Sequence, residues 1–132
     1  MKEDDVRPPG FGGLAGSPLV LGDKLILNGS PGGMALDLKT GRTLWKSGKG
    51  PGGHATPVAL QIGRKTHLAI HSPRALTIVD AADGREVWTT ERRQPIGVNA
   101  PDPVVDGTKV FVTAGRAFGG ALFDVTGAVA PL

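Results

Sequence analysis

The chain has 132 residues, enough for one domain with a single core. Its 21 Gly and 11 Pro make up about a quarter of it, and Leu, Ile, Val and Phe supply a similar share, so the composition excludes a disordered chain and describes a folded one rich in tight turns. The net charge is only +3, its Lys and Arg are scattered, and the absence of Cys excludes disulfides, thiolate metal sites and Cys nucleophiles. The densest charged cluster is Glu91-Arg92-Arg93, and no Tyr is interleaved with basic residues, so no nucleic-acid surface is expected. No apolar run approaches the length of a membrane span.

The N-terminus, Met1-Lys2-Glu3-Asp4-Asp5, is acidic where a signal peptide needs a basic start and an apolar stretch. Residues 1–16 read as a lead-in. From there three units follow, at about 17–47, 55–93 and 99–132, joined by connections at 48–53 and 94–98. Each unit opens on a Pro: Ser17-Pro18-Leu19-Val20, Thr56-Pro57-Val58-Ala59 and Asp102-Pro103-Val104-Val105. Pro at the start of a strand costs no ladder bond and forces its predecessor into an extended conformation. A short turn and an apolar run come next, with Lys24-Leu25-Ile26-Leu27, His67-Leu68-Ala69-Ile70 and Lys109-Val110-Phe111-Val112 in register. Gly22-Asp23 and Asp106-Gly107 are the expected hairpin turns.

A second alignment lies further on. Ala35-Leu36-Asp37-Leu38-Lys39-Thr40-Gly41 matches Ile78-Val79-Asp80-Ala81-Ala82-Asp83-Gly84, and each segment leads to a Trp, Trp45 and Trp88. Asp37 to Gly41 and Asp80 to Gly84 each read as a type I turn closed by a left-handed Gly. A third copy begins at Leu122-Phe123-Asp124, but its Gly127 comes one residue early. The strands are apolar at neighbouring positions, as in Leu25-Ile26-Leu27, so both faces of each sheet should be covered. A period near 40 with four short strands per repeat is the signature of a propeller, whose blades stack face to face. The expected fold is therefore all-β: a partial β-propeller of about three four-stranded antiparallel blades.

Ala35-x-Asp37-x-x-x-Gly41-x-x-x-Trp45 resembles the tryptophan-docking motif of pyrroloquinoline quinone (PQQ)-type propeller repeats, and Asp80, Gly84 and Trp88 repeat it with Ile78 in place of the Ala. Phe11-Gly12 before Gly16-Ser17-Pro18, and Val98-Asn99-Ala100 before Pro103, are similar to the exported BamB-like members of that family. The resemblance implies that Trp45 and Trp88 pack between blades. It also implies a full propeller of six to eight blades, so three blades would be part of a longer protein or would close a ring with further copies. The implied setting is the periplasm or cell envelope, the implied role outer-membrane biogenesis, and the implied partner another protein or further propeller blades. Two other readings share the fold: a fragment of a PQQ-dependent quinoprotein dehydrogenase, and the sensor propeller of a larger receptor or kinase-like protein.

No residue stands out for chemistry. Asp23 and Asp106 read as hairpin residues, Asp37, Asp80 and Asp124 as motif residues, Asp83 as a turn residue and Asp102 as the neighbour of Pro103. Glu86 and Glu91 are left, with nothing to pair them as acid and base. His67 and His71 would share a strand face, but no third ligand accompanies them, and His54 sits in a Gly-rich connection. Gly48-x-Gly50-x-x-Gly53 spells a dinucleotide fingerprint by letter, but Pro51 and Pro57 prevent the helix it needs, leaving a flexible blade connection. Asn28-Gly29-Ser30 is a glycosylation sequon by letter alone. Ser17, Ser30, Ser47 and Ser72 lie in no nucleophile elbow. PQQ-calcium enzymes need a cluster of oxygen ligands, and often an adjacent Cys pair, neither of which the sequence offers. The expectation is no catalytic, cofactor or metal site, and no cofactor outside the dehydrogenase reading.

Overall fold

The computed structural model describes residues 15–91, 100–114 and 119–128. Most of the lead-in, Phe11-Gly12, Arg92-Arg93, the connection at 94–98, Val98-Asn99 and the last four residues lie outside that set. The first sheet contains β1 (Leu19–Leu21), β2 (Lys24–Leu27), β3 (Met34–Asp37) and β4 (Thr43–Lys46), hydrogen-bonded in that order. The second contains β5 (Val58–Ile62), β6 (Lys65–His71), β7 (Ala75–Asp80) and β8 (Glu86–Glu91), again in sequence order. The third shows β9 (Val104–Asp106), β10 (Lys109–Ala114) and β11 (Gly119–Asp124) among the described residues, followed by a short 3-10 turn at Thr126–Ala128. All pairs are antiparallel. The architecture is an all-β partial propeller of three blades.

The registers confirm the internal alignment. Lys24 lies opposite Asp37, His67 opposite Asp80 and Lys109 opposite Asp124. The first hairpins turn on two residues, with a left-handed Gly first: Gly22 at φ 59°, Gly63 at φ 63° and Gly107 at φ 58°. The third turn is thus Gly107-Thr108, one residue later than Asp106-Gly107, because Asp106 is held in the ladder opposite Lys109. In both complete blades the register slips at one place, between Ala35 and Leu36 and between Ile78 and Val79. The slip leaves Leu44 and Val87 as extra residues and sets each Trp opposite the first motif position, Trp45 on Ala35 and Trp88 on Ile78. A bulge of this kind re-aims the side chain beside it.

Two hydrophobic layers hold the blades together. Ile26, Ala35 and Trp45 of the first blade pack with Leu68, Ile70, Val79 and Ala81 of the second. Leu60, Ile62, Ala69, Leu76 and Ile78 of the second pack with Val110, Val112 and Val125 of the third. The middle blade alternates its side chains between the layers, so β6 and β7 are apolar at consecutive positions and buried on both faces.

Candidate functional site

The conspicuous residues gather at the seams between blades. At the first seam the Trp45 indole is 9% exposed, and its Nε1–H donates to the Ala81 carbonyl at 3.3 Å. Its ring covers Gly84, where an added Cβ would stand 2.3 Å from Cε3. Gly84 thus serves twice. Its φ of 75° and its N–H, which donates to the Asp80 carbonyl at 2.8 Å, close its own turn, and its missing side chain seats the Trp of the preceding blade. Ala35, fully buried, leaves room for the indole across the ladder.

The motif aspartates all cap turns. Asp37 Oδ1 accepts the N–H groups of Lys39 and Thr40, both at 2.9 Å, and Gly41 N–H returns to the Asp37 carbonyl at 2.8 Å. Those two backbone donors hold the Asp37 carboxyl below its ordinary value. Asp80 Oδ1 accepts from Ala82 N–H at 2.9 Å, and its Oδ2 lies 3.7 Å from Lys65 Nζ. Asp124 accepts from the Thr126 hydroxyl and backbone N–H and from the Thr108 hydroxyl, and the Thr126 hydroxyl is the main reason its carboxyl is also lowered.

At the second seam Trp88 is only half-buried. Its ring meets Phe123, centroids 5.3 Å apart and planes tilted by 60°. By register Phe123 stands where the second blade has Val79, which accounts for the indole resting on a ring at this seam. The space around Gly127 is open, because the third turn is one residue short of the Gly84 position.

The openings of the blades are tied by a relay that the sequence reading missed. Ser17 N–H donates to Thr56 Oγ1 at 3.1 Å, and Thr56 N–H donates to Asp102 Oδ1 at 2.6 Å. Each residue before an opening proline therefore bonds the residue before the next one. The shared oxygen-bearing side chain ahead of Pro18, Pro57 and Pro103 was the available signal. Pro57 and Pro103 are buried beside these bonds, and Pro18 is exposed.

A second tie lies deeper. Asn28 Nδ2 donates to the carbonyls of Ala55, at 2.9 Å, and His71, at 3.0 Å, and its Oδ1 accepts from Gly53 N–H at 3.0 Å. His71 is the register equivalent of Asn28, and its Nδ1 lies 3.2 Å from the Pro101 carbonyl, so Nδ1 carries the proton of that bond. Ala55 and Pro101 occupy the same place, two residues before an opening proline. Asn28 and His71 are thus equivalent clamps from one blade to the next. The Gly48–Gly53 connection, expected as a flexible link, is packed at its end: Gly52 and Gly53 are buried, and a Cβ on Gly52 would stand 2.0 Å from the Asn28 carbonyl oxygen.

His67 Nδ1 lies 3.1 Å from the Lys65 carbonyl. Among the described residues no group of three or more His, Asp or Glu is arranged to hold a metal ion. An open cleft of about 480 Å³ lies along the first seam, between the Gly22-Asp23 turn and Ala81-Ala82. Lys24 and Lys65 line it, each within 4 Å of an aspartate, at 3.9 Å from Asp23 and 3.7 Å from Asp80. Among the described residues no helix is long and apolar enough to cross a membrane.

A family model described as outer membrane protein assembly factor BamB matches residues 7–129. No curated protein sequence matches the chain. Among solved structures, the crystal structure of BamB from Moraxella catarrhalis is similar at 26% identity and a TM-score of 0.63, over 89% of this chain and 35% of that one. The chain thus spans about a third of the length of that relative. Its repeats, its blades and the extent of the family match agree, and the chain belongs to the BamB family of PQQ-like propeller repeats.

Proposed function

We propose that this chain is a non-catalytic, protein-binding propeller segment that works in the bacterial cell envelope, in the assembly of outer-membrane proteins. The observation that carries the reading is the use of its polar residues. Asp37, Asp80, Asp124, Asn28 and His71 are all engaged in turns or seams, which favours a surface that binds over a pocket that reacts. The family's description supports the setting. The blades that complete the propeller and the protein it binds are part of this proposal.

The test is fractionation of the source bacterium, followed by photo-crosslinking from Arg74, an exposed residue between β6 and β7. The expected result is recovery with the envelope and a crosslink to an outer-membrane assembly protein. Recovery in the cytoplasm alone would overturn the setting. Saturable binding of PQQ with calcium at micromolar concentration would overturn the non-catalytic reading in favour of a quinoprotein fragment.

A further inference from the structure

The side chain that clamps the first seam sits in a chemically reactive pair. Asn28 and Asn99 are the two asparagines of the sequence, and Asn28 alone is followed by Gly. Asparagine is a labile residue, and a following glycine has no Cβ to shield the asparagine Cγ from its own backbone nitrogen. The pair is therefore open to cyclisation. The Gly29 nitrogen loses its proton and bonds to Asn28 Cγ, the Cγ–Nδ2 bond breaks, and Nδ2 leaves as ammonia with a proton. Water then opens the resulting succinimide. Addition at Cγ gives aspartate, and addition at the main-chain carbonyl carbon gives isoaspartate. Water is the one co-reactant.

The folded chain holds both reacting groups still. Asn28 is 6% exposed, and Gly29 and Ser30 are buried beside it. The amide is fixed at both of its atoms, Nδ2 by the Ala55 and His71 carbonyls and Oδ1 by the Gly53 N–H. The chain that follows is fixed too. Ser30 Oγ lies 2.7 Å from the carbonyl oxygens of both Gly33 and Ser47, and the Gly33 N–H donates to the Ser30 carbonyl at 2.9 Å. Gly52 presses on the same stretch: a Cβ there would stand 2.8 Å from the carbonyl carbons of both Asn28 and Gly29. Ring closure removes Nδ2 and re-aims Cγ, so it breaks the bonds to all three partners and has to wait for the seam to open.

The product does not relock. An ionised carboxylate only accepts hydrogen bonds. In place of the amide it would set negative charge against the Ala55 and His71 carbonyl oxygens, which Nδ2 now holds at 2.9 and 3.0 Å, at a buried position. The isoaspartate form also adds a methylene to the main chain where Gly52 lies against it.

We infer that Asn28-Gly29 is a gated deamidation site. The closed seam protects it, opening of the seam admits the reaction, and conversion removes the clamp between the first and second blades in a way that refolding does not reverse. The chain thus keeps a covalent record of its own opening. The inference concerns an internal seam and does not rest on the envelope reading.

The test incubates the purified 132-residue chain at mildly alkaline pH, folded in buffer and unfolded in guanidinium chloride, and follows both asparagines by peptide mapping and mass spectrometry. Trp fluorescence confirms each state. The expected result is fast conversion of Asn28 and slower conversion of Asn99 in the unfolded chain, with Asn28 at least about tenfold slower in the folded one. Gly29→Ala should slow Asn28 in guanidinium chloride, a readout that needs no folding. The converted chain, returned to buffer, should melt at a lower temperature than a parent chain unfolded too briefly to convert. Equal rates in the folded and unfolded chain, an unfolded Asn28 no faster than Asn99, or a converted chain that melts with the parent would each overturn the inference.

Discussion

The two seams are built from the same repeat and closed to different degrees. At the first, an indole lies on a glycine and bonds a carbonyl of the adjoining turn. At the second, the equivalent indole leans on Phe123 and is half-buried, while Gly127 faces open space. Both blades carry the Trp, so the Trp alone does not make the dock. The seat is supplied by the next blade, through a turn of the right length and a small residue beside it. Docking is a property of the pair of repeats.

Four measurements would break or sharpen this contrast. The largest effect belongs to the indoles: Trp45→Ala should cost about 3–5 kcal/mol in urea unfolding, and the half-buried Trp88 about 1–3. Equal losses would show that the second seam is as closed as the first. Next comes the seat. Gly84→Ala puts a methyl into the Trp45 ring at positive φ and should cost about 2–4 kcal/mol, whereas Gly127→Ala should change stability by less than about 0.5.

The buried clamps come third. Asn28→Ala takes an amide donor from the Ala55 and His71 carbonyls and leaves the Gly53 N–H with only the Asn28 backbone carbonyl, at 3.2 Å, and should cost about 2–3 kcal/mol. His71→Ala removes the bond to the Pro101 carbonyl and should cost about 1–2, with His71→Asn recovering part of it, because an amide does this work one blade earlier. The smallest effect is that of acid. The folded Asp37 and Asp124 carboxyls lie below their ordinary value of 3.8, so what they contribute is fully present above that pH. It fades as the pH falls through the folded values. Asp37→Asn should therefore flatten the loss of thermal stability in this acid range, as followed by Trp fluorescence.

Much of the fold was legible because its determinants are local. Pro18, Pro57 and Pro103 mark where blades open, Gly22 and Gly107 mark turns, and Asp37 to Gly41 spells its own cap. The seams were less legible because they join residues far apart in the chain. That Trp45 would sit on Gly84, a residue with a turn of its own to close, is a tertiary fact with no local sign. The weaker second dock did leave a trace, in the early Gly127. The Asn28 and His71 clamps left none, since an amide and an imidazole share no letter, and only the register shows that they do the same job. The Gly-rich connection was misread for a related reason: its glycines look like freedom, but Gly52 and Gly53 are there because Asn28 lies against them.

The prevailing order of the seam bonds, donor in one blade and acceptor in the next, bears on how the chain tolerates shortening and on how it is made. Cutting away the third blade would strand donors, the N–H of Thr56 and the ring nitrogen of His71. Cutting away the first would strand one donor, the N–H of Gly53, and more acceptors, the Thr56 hydroxyl and the carbonyls of Ala55, His71 and Ala81. Orphaned N–H groups are tolerated less readily than carbonyls with a spare lone pair. Trimming from the C-terminal side should therefore do more harm than trimming from the N-terminal side. During synthesis the same asymmetry means that each blade leaves the ribosome before the blade that satisfies it, and is completed only when its successor has emerged.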